Sequence, residues 1–277
     1  MNNYIKIEFP DISTEQSEIL IAELNEIGFD GFEETENKLS AFIAAVSYNE
    51  SRVKEIGDKF SLVFSKTDIE ETNWNEVWET NFEPVVIDSF VCKTSKVAIR
   101  AEFHKPVKGV EHEIIITPKM SFGTGHHATT HMMIQQMQEI DFINKTVLDY
   151  GTGTGVLAIL AEKLGAIKII AVDNDEWSIM NAAENIQKNN CNKIQLIKTA
   201  NPGSNDKVDI ILANINKNTI LNNFAAMVNR LSSNGSLLIS GILIEDETQI
   251  LKTAEQHILS AVKKIVQNNW LSIRFTL

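Results

Sequence analysis

Apolar and polar positions alternate in short runs through residues 1–66, and two stretches of helical spacing interrupt them. Strand patterns cover 4–9, 31–34, 39–46 and about 62–64. Helices are predicted to begin at Ser13 or Thr14 and near Ser51, and Gly28 is placed to end the first. The order β-α-β-β-α-β predicts a small ferredoxin-like α+β domain, an antiparallel sheet backed by two helices.

The next segment, 67–81, has helical spacing, with Trp74 and Trp78 four residues apart on one face. We interpret it as a linker helix whose tryptophans pack against a neighbouring domain. Further strands are predicted at 82–86, 90–93, 97–101 and 113–117, followed by a helix at 131–139. Thr129 and Thr130 are the expected caps of that helix.

From residue 146 onward, apolar strands alternate regularly with helices. The strands are predicted at 147–149, 168–172, 194–198, 208–213 and 235–240, and the helices at 156–164, 176–189, 217–231 and 244–259. This alternation predicts a parallel sheet covered on both faces. Two last strands, 262–267 and 270–276, flank Asn268-Asn269 and predict an antiparallel edge hairpin. Residues 82–277 therefore form the predicted doubly wound α/β domain.

Composition and charge limit the partners and the cellular compartment that we expect for the chain. The chain of 277 residues carries a formal net charge of -12, which disfavours direct nucleic-acid binding and favours a basic protein partner. An acidic surface that serves only solubility is an equally good interpretation. Cys92 and Cys191 form no C-x-x-C pair, as expected in a reducing compartment. No apolar run is long enough for a membrane span and no signal peptide is predicted, so we expect a cytoplasmic protein.

A glycine loop carries the first candidate chemistry. The apolar strand at 147–149 leads into Gly151-Thr-Gly-Thr-Gly155 and then a helix. Glycines at alternate positions let a backbone turn tightly and lie against a ligand where any Cβ would clash. Asp173 ends the following strand, where an acid can accept hydrogen bonds from both hydroxyls of a ribose. The two features together predict a nucleoside pocket.

The loop also indicates which nucleoside. Dinucleotide sites read G-x-G-x-x-G and hold a pyrophosphate, whereas this loop reads G-x-G-x-G and follows Asp149. An acid there would repel a pyrophosphate but suits the cationic methionine end of S-adenosylmethionine. The loop therefore favours a methyltransferase over a nicotinamide enzyme, and a glycine turn without any ligand is the remaining alternative.

Asn214 ends the fourth predicted parallel strand, at the edge where such sheets bind ligands. Its carboxamide could accept a hydrogen bond from a substrate amine and aim the nitrogen lone pair at a sulfonium methyl. The alternative is that it caps the following turn.

The segment 122–130 forms a flexible turn between Gly123 and Gly125 and could close over the cofactor. Together with residue 131 it carries three histidines, His126, His127 and His131. We expect no metal there, because no acid accompanies the histidines and sulfonium methyl transfer needs no Lewis acid. A histidine acting as base remains an alternative.

Four runs together resemble a known family. They are S-F-G-T-G-H-H-A-T-T at 121–130, L-D-Y-G-T-G-T-G-V-L-A at 148–158, A-V-D-N-D at 171–175 and L-A-N-I at 212–215. The chain resembles the ribosomal protein L11 methyltransferases over nearly its whole length. Any class I methyltransferase shares the glycine loop and the acid, whereas the first run is far more specific.

The resemblance implies a class I, Rossmann-like methyltransferase domain that uses S-adenosylmethionine and no metal. It implies that Thr130, Gly151, Asp173 and Asn214 line the cofactor site. The small N-terminal domain would bind the large-subunit ribosomal protein. The lysine side chains and the N-terminal amine of that protein are the expected methyl acceptors. Ala128 stands where the family usually has proline, and threonines replace the frequent cysteine and serine of the glycine loop; neither change removes a proposed ligand.

The expected mechanism is in-line displacement, in which a neutral amine attacks the methyl carbon and releases S-adenosylhomocysteine. No base is assigned. A nucleic-acid amine methyltransferase is the first alternative, although the Pro-Pro-aromatic continuation that would stack a flipped base is absent after Asn214. A catalytically silent S-adenosylmethionine-binding module that assists ribosome assembly is the second.

Overall fold

The structure is a computed structural model that describes residues 4–35, 37–69, 82–89, 96–119, 121–202 and 206–277. The chain separates into two compact units, Met1–Val77 and Trp78–Leu277. Within the described ranges, no helix is both long and apolar enough to cross a membrane.

The first unit contains a four-stranded antiparallel sheet with the strand order β2-β3-β1-β4. Its elements are β1 (Tyr4–Pro10), α1 (Thr14–Glu26), β2 (Gly31–Thr35), β3 (Lys38–Ala44), α2 (Glu50–Lys59) and β4 (Ser65–Ile69). Alternate residues of β1, namely Ile5, Ile7 and Phe9, are buried in one core with both helices. The element order agrees with the sequence prediction.

Side-chain hydrogen bonds and a glycine determine where α1 begins and ends. The Ser13 side chain accepts a hydrogen bond from the Gln16 amide at 3.2 Å, and the Gln16 side chain accepts one from the Ser13 amide at 2.9 Å. This reciprocal capping box satisfies two amides that the helix leaves unpaired. Gly28 follows the helix with a φ of +100°, which only glycine adopts without strain.

One predicted strand of this unit is wrong. Leu62 and Phe64, assigned to the last strand, instead pack half-buried against the core, and the strand begins at Ser65. β4 is an edge strand whose first four residues are polar and exposed, so no apolar alternation marks it. Residues 67–69 of the predicted linker helix belong to β4, and the rest of that prediction lies outside the described residues.

The second unit opens with a three-stranded sheet, β5 (Val85–Asp88), β6 (Lys96–Ala101) and β7 (His112–Ile116), followed by α3 (Ala128–Met137). The strand predicted at 82–86 therefore begins three residues late, and the one at 90–93 lies outside the described residues. The helix predicted at 131–139 begins at Ala128.

A seven-stranded sheet forms the centre of this unit, with the order β10-β9-β8-β11-β12-β14-β13. Its elements are β8 (Thr146–Tyr150), α4 (Val156–Lys163), β9 (Lys168–Asp173), α5 (Glu176–Lys188), β10 (Ile194–Lys198), β11 (Val208–Asn214), α6 (Lys217–Arg230), β12 (Leu231–Leu243), α7 (Glu247–Gln256), β13 (Ser260–Gln267) and β14 (Trp270–Thr276). The first five strands are parallel, and β14 runs antiparallel to both neighbours. Helices cover both faces over two separate cores, as the alternating pattern predicts.

Strand order determines where a ligand can enter. The chain moves outward from β8 to β9 and then returns to β11 on the other side of β8. The carboxyl ends of β8 and β11 thus flank a topological switch point, where open α/β sheets bind ligands. At the far edge, Asn268 and Asn269 have φ values of +50° and +67° and make the predicted tight turn.

Candidate active site

A cavity of about 440 Å³ lies at this switch point. Tyr150, Gly151 and Gly153 line it from the first strand and its loop, Asp173 from the second strand, and Asn214 from the fourth. Its volume is in the range of sites that bind small molecules or cofactors. Gly151, Asp173 and Asn214, all predicted from the sequence, are therefore together in one cavity.

The glycine loop is held against the segment before α3. The Thr154 amide donates to the Phe122 carbonyl at 2.9 Å, and the Thr154 hydroxyl donates to the Gly123 carbonyl at 2.7 Å. Gly153 has a φ of +54°, and a Cβ there would collide with the Phe122 carbonyl. The loop can lie this close to its neighbour only because it has no side chain there.

The Asp173 carboxylate is fixed by two backbone amides. One oxygen accepts a hydrogen bond from Gly153 at 2.9 Å and the other accepts one from Asp175 at 3.0 Å. Each carboxylate oxygen accepts two bonds, so both retain capacity toward the cavity. This acid is therefore oriented before any ligand arrives.

Asp149 is placed differently from the sequence expectation. The motif predicts this acid beside the cationic end of the ligand, but its side chain is fully buried and does not line the cavity. The Thr152 hydroxyl donates to one carboxylate oxygen at 2.6 Å, and the other oxygen has no partner among the described residues. Burial raises the pKa of Asp149 to about 7. Asp149 therefore supports the glycine loop through its hydrogen bond with Thr152, on the side away from the cavity.

Asn214 and Thr130 are in contact. The Asn214 side-chain nitrogen donates to the Thr130 hydroxyl at 3.2 Å, and its carbonyl oxygen is buried without a partner among the described residues. Thr130 is itself fully buried in the first turn of α3 and does not line the cavity. The helix that follows is capped by Asn216, whose side-chain oxygen accepts from the Thr219 amide at 2.9 Å.

Three rings form an aromatic rim on the cavity: Phe122, His127 and Trp270. The His127 ring centroid lies 5.2 Å from that of Phe122 and 4.9 Å from that of Trp270, both edge-on. His127 also caps α3, because its Nδ1 accepts a hydrogen bond from the Thr129 amide at 3.3 Å. The predicted caps, Thr129 and Thr130, lie inside the helix instead.

The protonation state of His127 follows from this bond. Burial lowers the pKa of its imidazole, which is therefore neutral at pH 7. Because Nδ1 accepts, the hydrogen-bond pattern assigns the single ring proton to Nε2. Such a ring has no free lone pair with which to act as a base.

The other two histidines lie away from the cavity. The His126 ring packs edge-on against Phe82 at 4.8 Å, and His131 lies on α3. Over the described ranges, no three side chains of His, Cys, Asp or Glu are grouped as a metal site.

Several lining residues gave no sequence signal. Trp270 comes to the cavity from the last strand, and Tyr150 donates from its hydroxyl to the Ala200 carbonyl at 2.8 Å. Ala200 and Gly241 complete the wall. Tyr150 stands inside the run at 148–158, whereas Trp270, Ala200 and Gly241 belong to no motif with a known spacing and are brought together only by the strand order.

The mostly parallel sheet, the switch-point cavity and the glycine loop paired with Asp173 define a class I methyltransferase. The family model described as ribosomal protein L11 methyltransferase (PrmA) matches residues 7–277. The chain belongs to this family.

Individual relatives agree with that assignment. The chain is 39% identical to the ribosomal protein L11 methyltransferase of Porphyromonas gingivalis, covering 94% of this chain and 90% of the relative. It is 36% identical to that of Chlorobaculum tepidum, covering 98% and 96%. Among solved structures, the ribosomal protein L11 methylase of Lactobacillus delbrueckii subsp. bulgaricus superposes with a TM-score of 0.61 at 27% identity, covering 69% of this chain and 97% of that one.

Proposed function

We propose that this protein transfers methyl groups from S-adenosylmethionine to amino groups of ribosomal protein L11, both lysine side chains and the N-terminal amine. One observation supports amine chemistry above others. The Asn214 carbonyl oxygen lies at the carboxyl end of β11 without a described partner, while its nitrogen is held by Thr130. An oxygen fixed in this way can accept a hydrogen bond from an amine and orient its lone pair.

The cavity fits the cofactor. Asp173 presents oriented carboxylate oxygens to the two ribose hydroxyls, and the backbone of Gly151 and Gly153 lines the same cavity beside it. Thr199 and Ala200, which directly follow β10, also line the cavity, and the adenine base of the cofactor would lie on their side. S-adenosylmethionine supplies a methyl group already activated on a sulfonium sulfur, so the protein's task is to bind, orient and exclude water.

The aromatic rim fits the acceptor. Phe122, His127 and Trp270 offer ring surface to the aliphatic stem of a lysine, and burying the amine among these rings would favour its neutral form. This matters because a lysine in water, with a pKa of about 10.4, is protonated at pH 7. His127 is not assigned as the base, since its Nδ1 is used in capping α3. Desolvation and the Asn214 oxygen are the means by which this chain prepares the nucleophile.

None of the residues that line the cavity belongs to the described part of the first unit, residues 4–35 and 37–69. We propose this unit as the module that recognises the ribosomal protein. The sequence predicts a recognition domain at 1–66, a linker at 67–81 and a catalytic domain at 82–277; because β4 runs to Ile69, the recognition module takes over the first three residues of that linker. A ribosomal protein substrate also implies that the enzyme works in the cytoplasm and without direct contact to nucleic acid.

The role of Asp173 gives the first prediction. Asp173→Ala should weaken S-adenosylmethionine binding by roughly 10- to 100-fold, because two charge-assisted hydrogen bonds to the ribose are lost. Calorimetric titration measures the change. Asp173→Asn is the matched control for loop support, since it keeps an acceptor for the Gly153 amide. Wild-type affinity in Asp173→Ala would show that this acid does not hold the ribose.

The acceptor is tested by incubating the protein with labelled S-adenosylmethionine and purified L11. We expect label on L11, and none on L11 whose amines have been acetylated beforehand. Label on ribosomal RNA instead would favour the nucleic-acid alternative. Cofactor binding without any transfer would favour the silent assembly module.

A further inference from the structure

We infer that Gly241 is a positioning residue for methyl transfer, because its bare backbone fixes the turn that directly follows Asn214. The inference rests on the proposed function, in which Asn214 orients the amine. Gly241 belongs to β12 and lines the cavity, but no motif of the sequence includes it.

The backbone at Gly241 is specialised. The register between β12 and β14 shifts between Ile239 and Ile242, which marks a β-bulge at this position. Within the bulge Gly241 has a φ of +85°, in the left-handed region that side chains rarely adopt. The bulge is also anchored, because the Ser240 hydroxyl donates to the Leu271 carbonyl at 3.0 Å.

The space beside Gly241 is filled by the backbone of Ile215. A Cβ at position 241 would lie 2.8 Å from the Ile215 carbonyl carbon and 3.0 Å from its nitrogen, and closer still to its carbonyl oxygen. On the other side, a Cβ at Gly151 would overlap the Cγ2 methyl of Ile215. Ile215 is thus held between two glycines, Gly151 and Gly241, which we call the glycine clasp.

The glycine clasp acts on Asn214 through the peptide that joins it to Ile215. The Asn214 amide has one hydrogen bond to a described residue, the 3.2 Å bond to Thr130, so its placement depends on this backbone. β12 lies inside the sheet between β11 and β14, whereas Ile215 lies in the turn before α6. A side chain at 241 would therefore displace the turn, and with it the Asn214 oxygen.

The test compares Gly241→Ala with Gly109→Ala. Gly109 is the matched control, because it has a φ of +74° in an exposed loop and a Cβ there would meet nothing within 4 Å. Two readouts are used: the side-chain amide NMR signal of Asn214, assigned by its loss in Asn214→Ala, and the kinetics with L11. We expect Gly241→Ala to shift the Asn214 signal and lower kcat by roughly 10- to 100-fold. Cofactor affinity should stay within about threefold of wild type.

Ile215→Ala is the second variant, and it tests the clasp without straining any glycine. It removes the methyl that touches Gly151, so the Asn214 signal should broaden and kcat should fall in the same direction. It keeps the inference testable if Gly241→Ala does not fold.

Three outcomes would overturn the inference. They are an unmoved Asn214 signal with wild-type kcat in both variants, an equal loss of kcat in Gly109→Ala, and a loss confined to cofactor affinity. If the wild-type enzyme methylates L11 and both variants do so equally well, the role of the glycine clasp is refuted, and the proposed function stands. A wild-type enzyme that leaves L11 unmethylated refutes the proposed function, and the NMR comparison still tests the clasp.

Discussion

Asn214 and Thr130 form a pair in which a buried residue orients one that faces the cavity. Thr130→Val keeps the shape of the side chain but removes the hydroxyl that accepts from the Asn214 amide. We expect kcat to fall about tenfold with cofactor affinity preserved, because the amide loses the bond that fixes its orientation. A double-mutant cycle with Asn214→Ala checks the coupling. Additive losses would mean that Thr130 acts independently of Asn214.

Asp149 predicts a pH dependence of stability. Its folded pKa of about 7 exceeds the ordinary value of 3.8, so the folded protein keeps a proton that the unfolded chain releases. Its contribution is therefore fully present below pH 4 and is lost as the pH rises toward 7, by about 4 kcal/mol at most.

Asp149→Asn should remove this term. Urea unfolding at pH 5 and pH 8 measures the free energy of unfolding of both proteins, and comparing them cancels the titration of other groups. Wild type should lose stability relative to Asp149→Asn between the two values. Parallel pH profiles would contradict the assignment.

The sequence predicts which residues at strand ends line the cavity better than it predicts which residues are buried beneath the cavity wall. Gly151, Asp173 and Asn214 could be placed because parallel strands end at a common edge and their motifs have fixed spacing. Asp149 and Thr130 could not, since burial depends on how α3 and the glycine loop pack, and spacing along the chain carries no such information.

At the scale of elements, the start of α3 has two roles. His127 caps the helix and also lines the cavity. Its cap is His127, which the sequence could not indicate, because threonine is a common cap and histidine is not. The neighbouring aromatic rings hold the imidazole in place. The helix therefore begins three residues before the prediction.

Two substitutions separate the roles of His127. His127→Ala should cost about 1 kcal/mol of stability through loss of the cap, whereas His127→Asn supplies a good cap and should keep it. Both remove the ring from the aromatic rim, so both should raise the KM for L11. Thermal unfolding and steady-state kinetics measure the two effects. If His127→Asn had the wild-type KM, the ring would have no part in holding the acceptor.

Three strands were misplaced: β4 and β5 were each placed three residues early, and β12, predicted at 235–240, extends from Leu231 to Leu243. The ends of the other described strands were predicted to within two residues. The reason is physical. β4 exposes most of its side chains, and β12 carries the polar residues Ser232, Ser233 and Asn234 near its start, so no apolar run marks either element there.

At the scale of the whole molecule, the net charge of -12 bears on partner binding. Attraction between this acidic enzyme and the basic partner that its charge favours is screened as salt rises, since the Debye length shortens from about 10 Å at 0.1 M to about 3 Å at 1 M. We expect kcat/KM for L11 to fall with salt while kcat at saturation changes little. A salt-independent kcat/KM would mean that the acidic surface serves solubility alone.

The position of β14 has a consequence for folding. This strand inserts between β12 and β13 and delivers Trp270 to a cavity whose other wall comes from Phe122 and Gly151. Contacts across such long stretches of chain form late, because closing large loops costs entropy before any contact forms. Refolding chains should therefore acquire their compact sheet before they can hold a nucleoside, and cofactor binding should appear as the last kinetic phase.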